Sequence, residues 1–250
     1  MIDPDAIDGP FGLAEDVPAL TSAWHVHGRP QLLYAVSGAM RFETSGHMAL
    51  LPPTRAAFIP AGVRHRALCS RPVRLRTVWF DATDDHPEVV VFEAPALLGQ
   101  LTEHLCGLGT PTAPADRVLF QALRHLVSGW MRDTLPVRLP LPASPELQRV
   151  TERVLQRPGA PFGIADASAL SGWPVRTVQR RFTTEVGVSF STWLVRARLH
   201  HAIDLLADPA VPVMDVAMRC GYTSHAAFSR AFRTHLGVTP SEWRRGSSEF

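Results

Sequence analysis

The chain of 250 residues has few cysteines, no lysine and no long apolar run. An odd number of scattered cysteines (Cys69, Cys106 and Cys220) is a poor basis for a disulfide framework. We expect small, buried thiols in a reducing compartment. No apolar stretch approaches the roughly 18 residues of a membrane span. The acidic N-terminus also lacks the pattern of a secretory signal. The sequence therefore predicts a cytoplasmic protein without a membrane partner.

The charged residues are unevenly distributed along the chain. All 25 basic residues are arginines, with 12 of them in residues 1–140 against 14 acidic residues. Residues 141–250 hold 13 arginines against 9 acidic residues. A hydrophobic fraction of 46% excludes a disordered chain. The basic C-terminal part is compatible with a polyanionic partner.

Short segments of alternating polarity, separated by glycine and proline, run from Ala23 to Phe80. One such segment places Leu32, Tyr34 and Val36 on a common face. Period-2 runs at this spacing are typical of an antiparallel sandwich or barrel. Val89–Phe92 is expected to add an edge strand. We therefore predict an antiparallel β domain over residues 1–93.

Three histidines in this domain are candidates for a binding site. His25 and His27 are two residues apart, so they face the same way on a strand. Their rings could then converge on one point inside the barrel, with Gln31 four residues after His27 and His65 further along the chain. Alternatively, the histidines line a pocket for an organic ligand or form hydrogen bonds within the barrel. Trp24 and Tyr34 are further candidates for an effector pocket.

Two amphipathic helices are predicted after the β domain. Pro95–Cys106 and Asp116–Met131 both carry apolar residues at helical spacing. Such a stripe either packs onto the barrel as core or pairs with the same helix of a second subunit. We favour pairing, and so predict a homodimer through residues 94–134. The proline-rich residues 135–143 are predicted to be a linker.

One pattern is written twice in the last third of the chain, from Ile164 to Ser189 and from Val213 to Thr239. The offset between matched positions is 49 before the turn of each copy and 50 after it. Each copy reads as a short helix, a glycine turn and a second helix, which is the helix-turn-helix plan. Ser189 to Leu206 reads as one long helix, which joins the two copies at a spacing near one DNA turn.

The second helix of each copy has an outward polar face. In the first copy this face carries Arg176, Gln179, Arg180 and Thr183, and in the second it carries His225, Ala226, Ser229 and Arg230. Such a face enters the major groove, where arginine can bind guanine and glutamine can bind adenine. A solvated face is the ordinary alternative for one helix. Two matched faces behind glycine turns favour double-stranded DNA as the partner.

The repeat resembles the AraC/XylS type of transcriptional regulator. The resemblance rests on Val175–Phe182 after Gly172, on Gly221-Tyr222, on Phe228–Phe232 and on the tail Gly237–Arg244. It implies a tandem helix-turn-helix domain over residues 144–246, in which the eight outward residues contact DNA. RNA polymerase is a further partner that the resemblance implies. Pro174 departs from the family, which usually has a serine cap there.

The β domain resembles the cupins, in His25-Val-His27 and in Pro60-Ala-Gly-Val-Arg-His65. This resemblance implies His25, His27 and His65 as metal ligands, although Gln31 stands where cupins have glutamate. Three imidazoles can still hold Zn²⁺ or Ni²⁺. The alternative function is therefore a metal-dependent cupin enzyme with an accessory DNA-binding domain. Because Gln31 replaces the glutamate, the enzyme alternative is weakened, and we predict that the protein is not an enzyme.

The predicted fold class is α+β with two domains. A cupin-like antiparallel β-barrel comes first, and an all-α domain with two helix-turn-helix motifs joined by a long helix follows. The predicted function is sequence-specific transcriptional regulation. In this interpretation a small effector, either a metal ion or an organic ligand, binds the barrel and controls DNA binding or activation.

Overall fold

The computed structural model describes residues 3–52, 55–69, 71–81, 88–132 and 138–246. These residues form two compact units, the first made of 3–44 and 49–132 and the second of 45–48 and 138–246. Residues 135–137 of the predicted linker lie outside the described residues. No helix in the described ranges is long and apolar enough to cross a membrane.

Two antiparallel sheets form most of the first unit, after a short 3-10 helix at Pro4–Ala6. The strands are β1 (Phe11–Val17), β2 (Leu20–Thr21), β3 (Gln31–Ser37), β4 (Met40–Thr44), β5 (His47–Leu51), β6 (Arg55–Ile59), β7 (His65–Cys69), β8 (Val73–Trp79) and β9 (Val90–Glu93). The first sheet has the order β1-β8-β3-β6-β9, and β5, β4, β7 and β2 are successive neighbours in the second. The predicted edge strand is therefore present as β9.

Strands β6, β8 and β9 of the first sheet are buried over most of their length on both faces, because helices cover the outer one. These helices are α1 (Ala96–Leu108) and α2 (Pro114–Trp130). Phe120, Leu123 and Val127 of α2 are fully buried in one cluster with Phe58 and Val78 of the sheet. This part of the apolar stripe of α2 therefore packs as core, which was the first of its two interpretations.

An ion pair and a close backbone approach fix α1 on the first sheet. The guanidinium of Arg76 on β8 donates two hydrogen bonds to the carboxylate of Glu103 on α1, at 2.5 and 3.1 Å. A side chain at Gly12 on β1 would collide with the carbonyl group of Leu105. Glycine at this position lets the helix backbone lie directly on the strand.

The second unit is helical apart from β10 (Arg138–Pro140). Its helices are α3 (Pro145–Gln156), α4 (Ile164–Ser171), α5 (Val175–Val186), α6 (Phe190–Leu206), α7 (Val213–Arg219), α8 (His225–Leu236) and α9 (Pro240–Gly246). α4 and α5 form the first helix-turn-helix, and α7 and α8 form the second. The long helix α6 joins them. The predicted α+β fold with two domains is confirmed.

Aromatic side chains fill the core of each helix-turn-helix copy. The Phe182 ring of α5 lies 5.4 Å from that of Phe190 and 5.6 Å from that of Trp193, both on α6. In the second copy, the Phe232 ring lies 5.6 Å from that of Phe228 and 5.8 Å from that of Trp243. The inward phenylalanines therefore set which face of α5 and of α8 remains outside.

All three cysteines are free thiols. Cys69 and Cys220 are buried, and Cys106 of α1 is half-buried, with its thiol 3.3 Å from the Leu13 carbonyl oxygen of β1. Burial raises the pKa of Cys106 to about 11 and that of Cys220 to about 12. Those two thiols therefore stay protonated near neutral pH and behave as small apolar groups.

Candidate DNA-binding surface and ligand cavity

The first recognition helix, α5, separates its apolar and polar residues cleanly. Val178, Phe182 and Val186 are buried, which follows from their spacing of four residues along the helix. The four predicted contact residues Arg176, Gln179, Arg180 and Thr183 are all exposed. The Thr183 hydroxyl donates to the Gln179 carbonyl oxygen at 3.0 Å, so its oxygen remains free to accept. The face offers two guanidinium groups, an amide and a hydroxyl.

The second recognition helix, α8, repeats this arrangement with different chemistry. Phe228 and Phe232 are fully buried. Outside, His225, Ala226 and Arg230 are exposed, and Ser229 is partly exposed. The Ser229 hydroxyl lies 3.4 Å from Nε2 of His225, one turn away. This face has one permanent cation where α5 has two, so the two copies present different chemistry to a partner.

The two recognition helices begin differently. The Ser224 hydroxyl accepts a hydrogen bond from the Ala227 backbone N–H at 3.2 Å, which is an N-cap at the start of α8. Pro174 occupies the same position before α5 and provides no side-chain cap. At the other end both helices stop at a glycine with a positive φ, 77° at Gly187 and 79° at Gly237. The left-handed conformation there favours glycine.

A neighbouring arginine on α5 faces away from the predicted contact residues. The guanidinium of Arg181 lies 4.9 Å from the centroid of the Trp173 ring. It also lies 3.7 Å from the Glu185 carboxylate, one turn further along. Arg181 therefore belongs to the packing of the motif, whereas Arg176 and Arg180 have no such contact among the interactions of the described residues.

A cavity of about 390 Å³ lies inside the first unit, between its two sheets. Strands β1, β3 and β8 of one sheet and β2, β4 and β7 of the other contribute to its walls. The polar lining residues are Asp3, Asp5, Glu15, Ser22, His25, His27, Gln31 and His65. The other walls are mainly apolar and include Leu33, Phe42, Leu75 and Trp79. Cavities of this size and polarity commonly hold small organic ligands.

The three predicted histidines come together at this cavity. Their ring centroids lie 4.3 Å apart for His25 and His65, 5.0 Å for His27 and His65, and 6.2 Å for His25 and His27. Backbone hydrogen bonds in both directions between His25 and His65, each 2.9 Å, align the two chain segments. His27 is 3% exposed and His65 is 1% exposed.

The backbone fixes the tautomer of each ring. Nδ1 lies 3.0 Å from the Ala23 carbonyl oxygen in His25, 2.6 Å from that of Arg29 in His27, and 2.9 Å from that of Val63 in His65. A carbonyl oxygen only accepts, so each Nδ1 must carry the proton. In the neutral ring this leaves Nε2 with a lone pair. The buried Nε2 of His27 has no hydrogen-bond partner among the described residues.

Burial keeps two of these rings neutral at physiological pH. It lowers the pKa of His65 to about 4, against the raising effect of the bond to Val63. It lowers the pKa of His27 as well, although the bond to Arg29, Asp5 and the side chain of Gln31 act in the opposite direction. Neutral imidazoles with protonated Nδ1 are the form in which histidine binds a metal through Nε2. The described residues nonetheless contain no group of three or more histidine, cysteine, aspartate or glutamate side chains arranged to hold an ion.

The two aromatic effector-pocket candidates lie elsewhere. Tyr34 points to the other face of β3, where it packs against the core beneath α1 and α2. Trp24 is covered by the guanidinium groups of Arg64 and Arg66, 4.9 and 5.1 Å from its ring centroid. The cavity instead uses Trp79 and Phe42.

Sequence reasoning also missed Glu15, a lining residue on β1. Its carboxylate accepts a hydrogen bond from the Thr77 hydroxyl at 2.7 Å. The segment Phe11–Val17 was the only local indication of this strand. Its alternation of polar and apolar residues is weak, because Gly12 and Ala14 stand between the larger residues. Its pairing with β8, in which Glu15 lies opposite Leu75, is non-local and has no local signature.

Comparison with known proteins gives similarities to transcriptional regulators. A family model described as a helix-turn-helix domain matches residues 167–246. The regulator NimR of Escherichia coli K12 is 25% identical over 228 residues, covering 90% of this chain and 82% of NimR. The regulator RipA of Corynebacterium glutamicum is 31% identical over 141 residues, covering 52% of this chain and 42% of RipA. The chain thus spans less than half of RipA.

A solved structure of similar extent is that of ToxT from Vibrio cholerae O395. It is 11% identical, covers 97% of this chain and 98% of its own, and has a TM-score of 0.43. The family match covers the helix-turn-helix part of the second unit. NimR and RipA are both described as transcriptional regulators of the helix-turn-helix type.

Proposed function

We infer that this chain is a transcriptional regulator of the AraC type, which reads DNA with its second unit and senses a small effector with its first. The observation that carries the inference is the pair of exposed polar faces on α5 and α8, each behind a glycine turn. In a helix-turn-helix protein this face of the second helix enters the major groove.

The first copy is proposed to supply most of the base recognition. Arg176 and Arg180 are exposed guanidinium groups, and Gln179 between them is an exposed amide. Arginine binds guanine O6 and N7 in a bidentate manner, and glutamine does the same for adenine N6 and N7. In the second copy Arg230 takes the position of Arg180, with His225, Ala226 and Ser229 around it. Two unlike faces predict two unlike half-sites.

Replacing Arg180 by alanine tests this assignment. We expect a loss of about 1–3 kcal/mol of discrimination at one base pair, because a bidentate contact is lost. The measurement is an electrophoretic shift and footprint of the full chain on the DNA upstream of its own gene. Arg153→Ala, which removes an exposed arginine of α3, is the matched control for lost charge. An Arg180→Ala protein with wild-type affinity and footprint would contradict the assignment.

The cavity of the first unit is proposed to bind the effector. It is enclosed by both sheets, mainly apolar, and has a cluster of polar groups at the histidines. Ligand control of DNA binding requires that the effector bind two arrangements of the protein with different affinities. We place an organic ligand first, because the volume exceeds the need of a single ion and the described residues contain no metal-binding arrangement.

A divalent metal is the second effector class, since the tautomers of His25, His27 and His65 suit it. In that case the three Nε2 atoms would hold Zn²⁺ or Ni²⁺, with Gln31 beside them. Elemental analysis of protein reloaded with either ion tests this class. One ion per chain, lost in a His27→Gln variant, is the expected result for a metal sensor. A metal content well below one ion per chain would contradict the metal sensor and leave the organic ligand as the effector class.

The remaining partners follow from the regulator proposal. The protein acts in the cytoplasm on double-stranded DNA, as a homodimer, and RNA polymerase is its partner if it activates. The alternative of a metal-dependent cupin enzyme with an accessory DNA-binding domain is less well supported. The relatives named above are regulators, and Gln31 replaces the carboxylate that a cupin enzyme would use.

A further inference from the structure

The cavity of the first unit has an unusual balance of charge for this chain. Nineteen residues line it, all of them within the described ranges. Three of these are carboxylates (Asp3, Asp5 and Glu15) and none is an arginine, although the chain contains 25 basic residues, all arginine. An anionic ligand would therefore meet carboxylates and no guanidinium group in the lining, whereas a cation would be attracted.

The polar groups of the cavity are mainly hydrogen-bond acceptors. The three imidazoles use Nδ1 as donor to backbone carbonyl oxygens, which leaves Nε2 as acceptor in each. The Ser22 hydroxyl donates a hydrogen bond to the Ala23 carbonyl oxygen, at 3.0 Å. One oxygen of Glu15 accepts from Thr77, which leaves the other for a ligand. A matching ligand must donate hydrogen bonds.

An unpaired buried nitrogen points independently to a ligand. His27 is 3% exposed, and its Nε2 has no hydrogen-bond partner among the described residues. A buried acceptor without a partner is costly, and a ligand that donates to it would remove the cost. The Trp79 and Phe42 rings, also in the walls, can attract a cation through their faces.

We propose that the effector is a small organic ammonium ion: a primary or secondary amine carried on an apolar body. The ammonium group donates to the histidine nitrogens and to Glu15, and the apolar body fills the remainder of about 390 Å³. This inference rests on the proposed function, since it names the effector class of the cavity.

Calorimetric titration of the full, EDTA-treated chain tests the proposal. The probes are phenethylamine, tyramine and hexylamine, each compared with the carboxylate and the alcohol of matching length. We expect at least one amine to bind about tenfold or more tightly than both of its counterparts, since hydrogen bonds to charged groups are the stronger ones. The proposal is overturned if the carboxylates or alcohols bind as tightly, or if no amine binds.

A pair of neighbouring variants on β1 localises the binding. Glu15→Gln keeps the shape and the acceptor for Thr77 but removes the charge, and we expect about a tenfold loss of amine affinity. Asp16→Asn is the control, because that side chain is 81% exposed and lies 3.5 Å from Arg74 outside the cavity. Equal amine affinity in Glu15→Gln and wild type would contradict the proposal.

DNA binding separates the two proposals. If the full chain shifts its upstream DNA but binds no amine, the effector class is wrong and the regulator proposal stands. If an amine binds with the expected preference but no DNA is shifted, the regulator proposal fails and the ligand class stands.

Discussion

At the scale of single residues, a buried histidine couples the stability of the first unit to pH. The pKa of His65 is lowered to about 4 by burial, against 6.5 for an exposed histidine. Above pH 6.5 the ring is neutral whether the chain is folded or not. As the pH falls from 6.5 towards 4, the unfolded chain takes up the proton first, so the free energy of unfolding decreases. Between pH 7 and pH 5 we expect a decrease of about 1–2 kcal/mol from this residue.

Urea unfolding in EDTA at pH 7 and pH 5 measures this effect. His65→Gln should make the pH dependence shallower, since the titrating group is gone. The matched control is His104→Gln, which removes an exposed histidine of α1 outside the cavity. Equal stability of the wild type at both pH values would show that His65 does not behave in this way.

The sequence identified the histidines of the cavity but not its other lining residues. His25 and His27 are recognisable because their spacing puts both on one face, and a bridge to His65 brings in the third. Glu15 and Trp79 had no comparable signal, because they meet only when β1 pairs with β8 across some sixty residues of chain. Long-range pairing of this kind depends on the whole sheet.

At the scale of elements, the N-cap residues of the two recognition helices should differ in how much they contribute to stability. Ser224→Ala removes the hydroxyl that accepts from the Ala227 N–H, and we expect a loss of about 1 kcal/mol of stability. Pro174→Ser adds a hydroxyl at the matched position of α5. Its capping gain is offset by the greater freedom of the unfolded chain, so we expect a net change below about 0.5 kcal/mol.

Urea unfolding followed by helical circular dichroism compares both variants with the wild type. Thr223→Ala, at the exposed residue before the cap, is the control for the loss of a nearby hydroxyl. A Ser224→Ala protein as stable as the wild type would mean that water replaces the cap at no cost.

The helices of the second unit were predictable to within a few residues, for local reasons. Glycines with positive φ end α4, α5 and α8, and inward phenylalanines set the face of α5 and of α8. The stripe of α2 was harder to interpret. Its periodicity indicates that a face is buried, but not against which surface. Phe120 and Leu123 pack on the first sheet, so the partner was set by tertiary structure.

At the scale of the whole molecule, the outer surface of α1 and α2 bears on the number of subunits. With the inner face of α2 filled by the sheet, Val118 remains 59% exposed, and Leu97 on α1 is 47% exposed. Leu119 and Leu126 of α2 are only partly covered. Apolar side chains of this kind on neighbouring helices are a suitable surface for a second copy of the chain.

We therefore expect the full chain to be a dimer and Val118→Asp to dissociate it, since the charge would be buried in the interface without a partner. Sedimentation equilibrium should give twice the chain mass of 27.5 kDa for the wild type and the single mass for the variant. Met218→Asp, at a residue of α7 that is 57% exposed, is the matched control and should remain dimeric. If the wild type sediments as one chain at micromolar concentration, or if both variants keep the dimer, residues 94–134 do not form the subunit interface.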